Sequence, residues 1–416
     1  MKIGLLIIGT EVLKGLVADA NTKWLADHLK SLNLELSKVI TVGDGETDIS
    51  HGLSDLYRDC DFVFTSGGLG PTLDDITKTS VAKFFNLPVE YSDDAHQVAK
   101  KNYEQFNREL ANMHTYSTLP VGFIPLWNPS GFAPGFFFQS VDNKFLLSGP
   151  GVPREFKAII NAHFKNLVDP FLTDKYHHET VTFRTKKIPE EKIFTELVPT
   201  LWQDMEKYGS VSSLPQIMSV DVCSHLKAKT EKELKEKREG VIQLISNSAL
   251  QEYIWETGTR SVEEVILSLA EKHNIHFGFA ESCTGGLCSH RMTNISGASK
   301  SFWGSVVCYD NSIKENILNV KSETLKNFGA VSIETAQEMS EGLKKNLKLD
   351  IAISITGIAG PGGGSEEKPV GTVCLGVSDK SGTTTHRLVL FGDREQLKLR
   401  FSQAALFLLL EKLQSY

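Results

Sequence analysis

Ser282 lies in FAESCTGG (279–286), between an apolar run that reads as a strand and a run with helical spacing. A side chain at such a junction meets the free backbone N–H groups of a helix start, which favour an anion or a developing oxyanion. Ser282 and Thr284 supply hydroxyls there, and Gly285 with Gly286 lets a ligand approach the backbone. Two readings of Ser282 stand side by side, a nucleophile and a cap of the following helix. Cys283 is its rival, because a thiol at a helix start is expected to ionise more readily and is intrinsically nucleophilic.

A serine nucleophile needs a base. His273, His276, His290 and His386 fall in helix or strand patterns and form no recognisable triad. Lysine can substitute when burial or a nearby cation lowers its pKa. Lys314 in YDNSIK (309–314) is the candidate: Tyr309 is expected to close a strand, and the polar turn after it could present both side chains to one crevice. The plain alternative is a solvated surface lysine. Farther on, SITGIAGPGGGSEEKPVGTV (354–373) follows a strand ending at Thr356 and carries five glycines from Gly357 to Gly364, Gly360 and Gly362 among them. Glycine is costly to order, so packing alone is not expected to account for the cluster; a loop that wraps phosphate or closes over a substrate would. The segment has neither the GK[ST] of a Walker loop nor the GxGxxG of dinucleotide folds. Arg394, at the expected start of the last helix, could bind phosphate or help set the charge of Lys314; otherwise it is a surface arginine.

A second constellation, acidic and glycine-rich, lies near the amino end: Glu11, Asp19, Asn21 and Asp44, then SGGLGPTLDD (66–75). Gly67, Gly68 and Gly70 can form an anion-binding turn beside Thr72. Asp74 and Asp75, with Asp44 and Glu11, could hold a hard divalent ion against a pyrophosphate. Either aspartate would equally suit a helix start. The turn-rich segments NPSGFAPGF (128–136), opening at Asn128, and LSGPGVPREF (147–156) are suited to line the same crevice.

The elements that must position these residues are legible in outline. Residues 1–170 alternate strands (2–8, 36–42, 61–65) with helices (21–31, 49–57), which predicts a parallel sheet whose ligands lie beyond the carboxyl ends of its strands. Residues 171–258 change character, with strands at 179–186 and 217–226, helices at 190–202 and 231–245, and no cluster that carries chemistry; a small α+β linker is expected. Residues 259–416 restart the α/β pattern: helices at 262–273, 286–292, 335–345 and 394–410, strands at 275–280, 305–309, 351–355, 371–377 and 386–391. The fold class is therefore α/β, two three-layer domains joined by a small α+β domain. At 416 residues the chain is too long for one core. A net charge of -7 without a basic, aromatic stripe argues against direct nucleic-acid contact. Six cysteines with neither CxxC nor small-domain disulfide spacing are expected to be reduced thiols in the cytoplasm. The opening MKIGLLII is too short for a signal sequence, and no run spans a bilayer.

The segments AESCTGG (280–286), GAVS (329–332), ITGIAGPGGG (355–364), KPVGTV (368–373) and FGDR (391–394) together closely resemble the carboxy-terminal domain of the competence/damage-inducible CinA family, the nicotinamide mononucleotide (NMN) deamidase domain. The resemblance implies hydrolysis of the NMN carboxamide to nicotinic acid mononucleotide and ammonia in NAD recycling, without a cofactor. It implies Ser282 as nucleophile, supporting catalytic roles for Tyr309, Lys314 and Arg394, and a substrate phosphate near the glycine-rich turns. Residues 1–165 resemble the amino-terminal domain of the same family, similar to the molybdopterin-binding fold, which in some members hydrolyses ADP-ribose with a divalent metal. By that resemblance Gly67–Gly70 is the phosphate turn, and Asp44, Asp74 and Asp75 are the acidic metal or catalytic candidates. Two departures bear on this. The family's Gly-Asp-Glu reads Gly9, Thr10, Glu11 here, and its Asn-Arg-Lys-Gln-Ala before Leu-Pro reads NMHTYSTLP (112–120), with only His114 to serve for the missing basic residue. Three functions follow: a bifunctional NMN deamidase and ADP-ribose pyrophosphatase; a deamidase whose amino domain only binds ligand; and a molybdopterin-binding protein. A homodimer is the family-level expectation.

Overall fold

The run IGLLII is buried at all six positions, as a strand covered on both faces must be. In the computed structural model, which describes residues 1–110, 114–171 and 176–416, it forms a central strand of a six-stranded sheet. That sheet consists of β1 (Ile3–Ile8), β2 (Leu36–Val42), β3 (Phe62–Ser66), β4 (Ile124–Leu126), β5 (Gly135–Gln139) and β6 (Phe145–Gly149), in the order β2-β1-β3-β6-β5-β4. The first four pair in parallel; β5 and β4 extend the sheet through antiparallel pairings. Alternation along β1 sends Ile3, Leu5 and Ile7 to one face and Leu6 and Ile8 to the other. The first face packs on α1 (Asn21–Ser31), through Leu25 and Leu29, and on α4 (Pro153–Val168), through Phe156, Ile160 and Phe164. The second packs on α2 (Glu46–Asp59) and α3 (Thr77–Phe84), through Leu53, Leu56 and Val81. This three-layer body is most of one compact unit, Met1–Glu179 with Lys227–Leu234.

The second unit, Thr180–Leu226 with Lys235–Tyr416, carries two sheets. The smaller is antiparallel where its register is defined: β7 (His177–Thr185), β8 (Gly209–Gln216), β9 (Ser219–Ala228) and β10 (Ile254–Thr257), ordered β8-β9-β7-β10. The expected helix at 190–202 is broken. Glu190–Lys192 runs into a π-helical turn, Ile193–Leu197, and a new helix, α5 (Leu201–Glu206), follows. Pro199 is the cause: it lacks an N–H and drives Val198 out of helical conformation (φ -142°, ψ 77°).

The larger sheet is built from β11 (Phe277–Glu281), β12 (Phe302–Val307), β13 (Ile351–Gly357), β14 (Thr372–Asp379) and β15 (Gly382–Val389), ordered β12-β11-β13-β14-β15. β12, β11 and β13 are parallel; β14 runs against β13, and β15 against β14. The carboxyl ends of β11, β12, β13 and β15 therefore share one edge. One face is covered by α6 (Val262–His273), α7 (Leu287–Thr293) and α11 (Arg394–Gln414), the other by α8 (Asn311–Leu318) and α10 (Ile333–Leu347), with α9 (Ser322–Phe328) between those two in the chain. Capping boxes start α6 (Ser261, Glu264) and α11 (Asp393, Gln396). No described helix is long and apolar enough to cross a membrane.

Phe279 of β11 is fully buried beneath α6 and α11. Phe279→Ala is expected to lower the unfolding free energy of its unit by about 3–5 kcal/mol, read as a lower urea midpoint.

Candidate functional site

The shared strand edge gathers the carboxy-terminal candidates. Ser282 is the first residue past β11; its N–H donates to the Ile355 carbonyl at 2.9 Å, and its own carbonyl accepts from the Gly285 N–H at 3.1 Å. On the other side the Cys308 N–H donates to the Glu281 carbonyl at 2.8 Å, so the chain leaving β12 departs beside Ser282 and puts the exposed Tyr309 at the same edge. Thr356, buried in the last turn of β13, donates its hydroxyl to the Ala330 carbonyl at 2.7 Å. Arg394 opens α11 just after β15. Its guanidinium donates to the Gly360 carbonyl at 2.6 Å and to the Tyr309 hydroxyl at 3.1 Å, tying the glycine loop to Tyr309.

Lys314 departs from expectation in an informative way. It lies on α8, not in a polar turn, because Asp310 caps that helix through the Ser312 N–H (2.9 Å) and hydroxyl (2.6 Å). β12 ends at Val307, two residues short of Tyr309. The lysine is 1% exposed, so the solvated reading fails. Its Nζ donates to the Cys308 carbonyl at 2.8 Å and to the Tyr309 carbonyl at 3.2 Å. Burial lowers its pKa below the ordinary 10.5, opposed by Cys308, Asp310 and Cys283.

Three sequence expectations are corrected at this edge. The start of α7 is not open to a substrate anion. The fully buried Glu281 carboxylate fills it, accepting from Thr284 Oγ1, the Gly286, Cys288 and Ser289 N–H groups and Ser289 Oγ. The amides of Gly285 and Gly286 are thus engaged within the turn. Cys283, likewise, is buried in the apolar core, and burial pushes its thiol up to about 12 rather than down. As for the glycine cluster, close packing explains more of it than expected. A Cβ would stand 2.7 Å from the Thr372 carbonyl at Gly357, 2.7 Å from Val370 at Gly360 and 2.9 Å from the Val370 N at Gly364. Gly362 alone meets nothing within 4 Å and has an ordinary φ, so it is the position still open to a ligand role.

In the first unit a cleft of about 390 Å³ brings together Glu11, Asp44, Gly67, Gly68, Gly70, Asp74 and Asp75, as the spacing suggested. The segments at 128–136 and 147–156 contribute Phe132, Ala133, Pro150 and Gly151. A Cβ at Gly67 (φ +119°) would lie 2.0 Å from the Ile8 carbonyl, which is why glycine stands there. The acidic groups are nearby but do not form a ligand set: among the described residues no three His, Cys, Asp or Glu side chains are arranged to hold a metal ion. Local donors explain this. Asp44 accepts from the Thr10 N–H at 2.9 Å while its own N–H donates to Thr10 Oγ1 at 3.3 Å. Asp74 and Asp75 both accept from the Thr72 hydroxyl, and Asp75 also from the Thr72 N–H at 2.9 Å. Thr72 therefore organises its own loop. Asn128, expected to meet substrate, is fully buried and serves the scaffold: it donates to the Ala133 carbonyl at 2.8 Å and to Glu155 at 2.7 Å. Glu155 lines the cleft, and burial raises its pKa against the Asn128 hydrogen bond and Arg154. Only its place after Pro153 in PREF marked it in sequence. Asn112 and Met113, and the His114 side chain offered for the missing basic residue, lie outside the described residues.

Residues 259–413 match the CinA C-terminal domain, and residues 4–173 the probable molybdopterin binding domain. A putative competence-damage inducible protein of Caldanaerobacter subterraneus subsp. tengcongensis is 35% identical over 397 residues, 94% of each chain. The chain belongs to the CinA family. A CinA-like protein of Thermotoga maritima is 34% identical over 97% of this chain and 96% of its own. Among solved structures, the competence/damage inducible protein CihA from Agrobacterium tumefaciens is 36% identical, covering 37% of this chain and 96% of its own, with a TM-score of 0.35. In this CinA-family chain the buried, raised thiol gives a direct check on the rival nucleophile. Alkylation of Cys283 by iodoacetamide at pH 8 in the folded protein is expected to be at least about 100-fold slower than for an unperturbed thiol, followed by peptide mass spectrometry.

Proposed function

We propose that the carboxy-terminal edge hydrolyses the carboxamide of NMN to nicotinic acid mononucleotide and ammonia. The observation that carries this reading is Lys314: a buried amine whose pKa burial lowers, on the helix that follows the strand beside Ser282. Ser282 Oγ attacks the carboxamide carbon as Lys314 takes its proton. The Tyr309 hydroxyl accepts from Arg394, which leaves its O–H free to donate to the tetrahedral oxyanion. Lys314 then protonates the departing nitrogen, and ammonia leaves. Water attacks the acyl-Ser282 ester while Lys314 takes one of the water's protons, which returns to Ser282 Oγ as the carboxylic acid is released, and the acid then gives its remaining proton to solvent. The pyridinium ring withdraws electrons from the carbon under attack. Arg394 is the cation suited to the substrate phosphate. The route draws on side chains alone and calls on no cofactor. The same reading takes the enzyme to be cytoplasmic and homodimeric.

For the amino-terminal cleft we favour binding of a phosphorylated nucleotide such as ADP-ribose without its hydrolysis. Thr10 and Asp44 satisfy each other, and Asp74 and Asp75 both turn onto the Thr72 hydroxyl. Calorimetry is expected to detect ADP-ribose binding while AMP formation with Mg²⁺ or Mn²⁺ stays at background; AMP released by a divalent ion would restore the pyrophosphatase reading.

The deamidase reading has a pH signature. Lys314 acts as a base only when neutral, and burial brings its pKa down, so kcat/KM for ammonia release from NMN rises with pH through an apparent pKa below 10.5. Lys314→Met is expected to remove that limb and lower kcat at least about 100-fold. A rising limb that survives in Lys314→Met would assign the base elsewhere.

A further inference from the structure

Glu281 is the most heavily bonded side chain at the strand edge and has no part in the mechanism above. It is the last residue of β11, it is fully buried, and it immediately precedes Ser282. Its Oε2 accepts from Thr284 Oγ1 at 2.7 Å, the Cys288 N–H at 3.0 Å and the Gly286 N–H at 3.1 Å. Its Oε1 accepts from Ser289 Oγ at 2.6 Å and the Ser289 N–H at 2.9 Å. Three of these partners are backbone N–H groups, which can only donate, and two are hydroxyls; a carboxylate satisfies all five, whereas an amide NH₂ cannot accept from an N–H it faces. The donors span the turn that begins at Ser282 and the first residues of α7.

The backbone of Ser282 is thereby held from both directions. On the strand side, its N–H is bound to Ile355, and Glu281 pairs with Val307 and Ile355 in the neighbouring strands. On the turn side, its carbonyl takes the Gly285 N–H, and the rest of the turn hangs on the Glu281 carboxylate. With the main chain fixed this way, the serine retains only its side-chain torsion. We propose that Glu281 is a positioning residue for Ser282: its carboxylate occupies the start of α7, where a substrate anion would otherwise sit, and locks the turn so that the nucleophile is presented in one geometry. This inference rests on the reading of Ser282 as the amidase nucleophile. It adds that the group setting nucleophile geometry is an internal anion. It also places substrate recognition away from the α7 start, on Arg394 and the rim around Tyr309.

The test compares Glu281→Gln with the parent, full-length, in two assays. One is ammonia release from NMN. The other is phosphonylation of Ser282 by a fluorophosphonate probe, read by peptide mass spectrometry, which needs no NMN chemistry. An amide NH₂ at either oxygen position faces at least one backbone N–H, which cannot accept (Ser289 at Oε1, Gly286 and Cys288 at Oε2), so the turn must shift. A displacement of about 1 Å costs on the order of 100-fold in a positioned reaction. The expected result is a folded variant with kcat down about 100-fold and KM near parental, and with Ser282 phosphonylation slowed at least about tenfold. Parental kcat and labelling rate in folded Glu281→Gln overturn the proposal, as does a parent whose Ser282 is inert to the probe. If the parent is phosphonylated on Ser282 but releases no ammonia, the amidase reading falls and the labelling comparison alone decides for or against the clamp. If Glu281→Gln does not fold, Ser289→Ala, which removes one donor, is used: slower labelling of Ser282 supports the clamp, and parental labelling contradicts it.

Discussion

The carboxy-terminal site depends on one constraint, that three parallel strands and a fourth running the same way end at one edge of a sheet. Once β11, β12 and β13 are in register, Ser282, Cys308 and Thr356 emerge side by side without any loop having to find its place. β15 brings Arg394 to the same edge after two antiparallel reversals. Sites at the carboxyl ends of parallel strands are a general property of such sheets. Here the helix after β12 also buries Lys314, whose amine reaches back to the Cys308 and Tyr309 carbonyls just past the end of that strand.

Two buried charge-bearing side chains of opposite chemistry then make the edge specific. Glu281 meets five donors, and Lys314 meets two acceptors. A buried carboxylate without donors, or a buried amine without acceptors, would cost several kcal/mol, so each side chain stays where it is only because the backbone around it is arranged to receive it. The consequence differs for the two. Donors around Glu281 lock a turn, whereas burial of Lys314 lowers its pKa.

Much of this was legible in the chain. The buried run 3–8, the strand-turn-helix at 277–293 and the capped helix at 262–273 follow from hydrophobic periodicity and Ser or Gly punctuation, and the fold class follows from them. The harder parts share a cause: they are decided by what a side chain meets across the fold. YDNSIK reads as a turn because it is polar, yet its polar residues cap and line a helix whose one buried lysine faces backbone carbonyls. The glycines at 357, 360 and 364 read as ligand space, yet the neighbouring strand and Val370 fill it. Asn128, Asp44 and Thr72 look like ligands by type and spacing, and each is spent on a local partner. Glu281 stood in plain view beside Ser282, and only the geometry of the turn shows that five donors converge on it.

In the proposed deamidase mechanism Ser282 carries the acyl group of a carboxamide substrate between two half-reactions. The most direct measurement is an acid quench during steady-state turnover of NMN, followed by mass spectrometry of the peptide that contains Ser282. An acyl adduct on Ser282 that appears with NMN and disappears when substrate is exhausted is expected. An adduct on Cys283 instead, or rapid turnover with no covalent species on either residue, would contradict that mechanism.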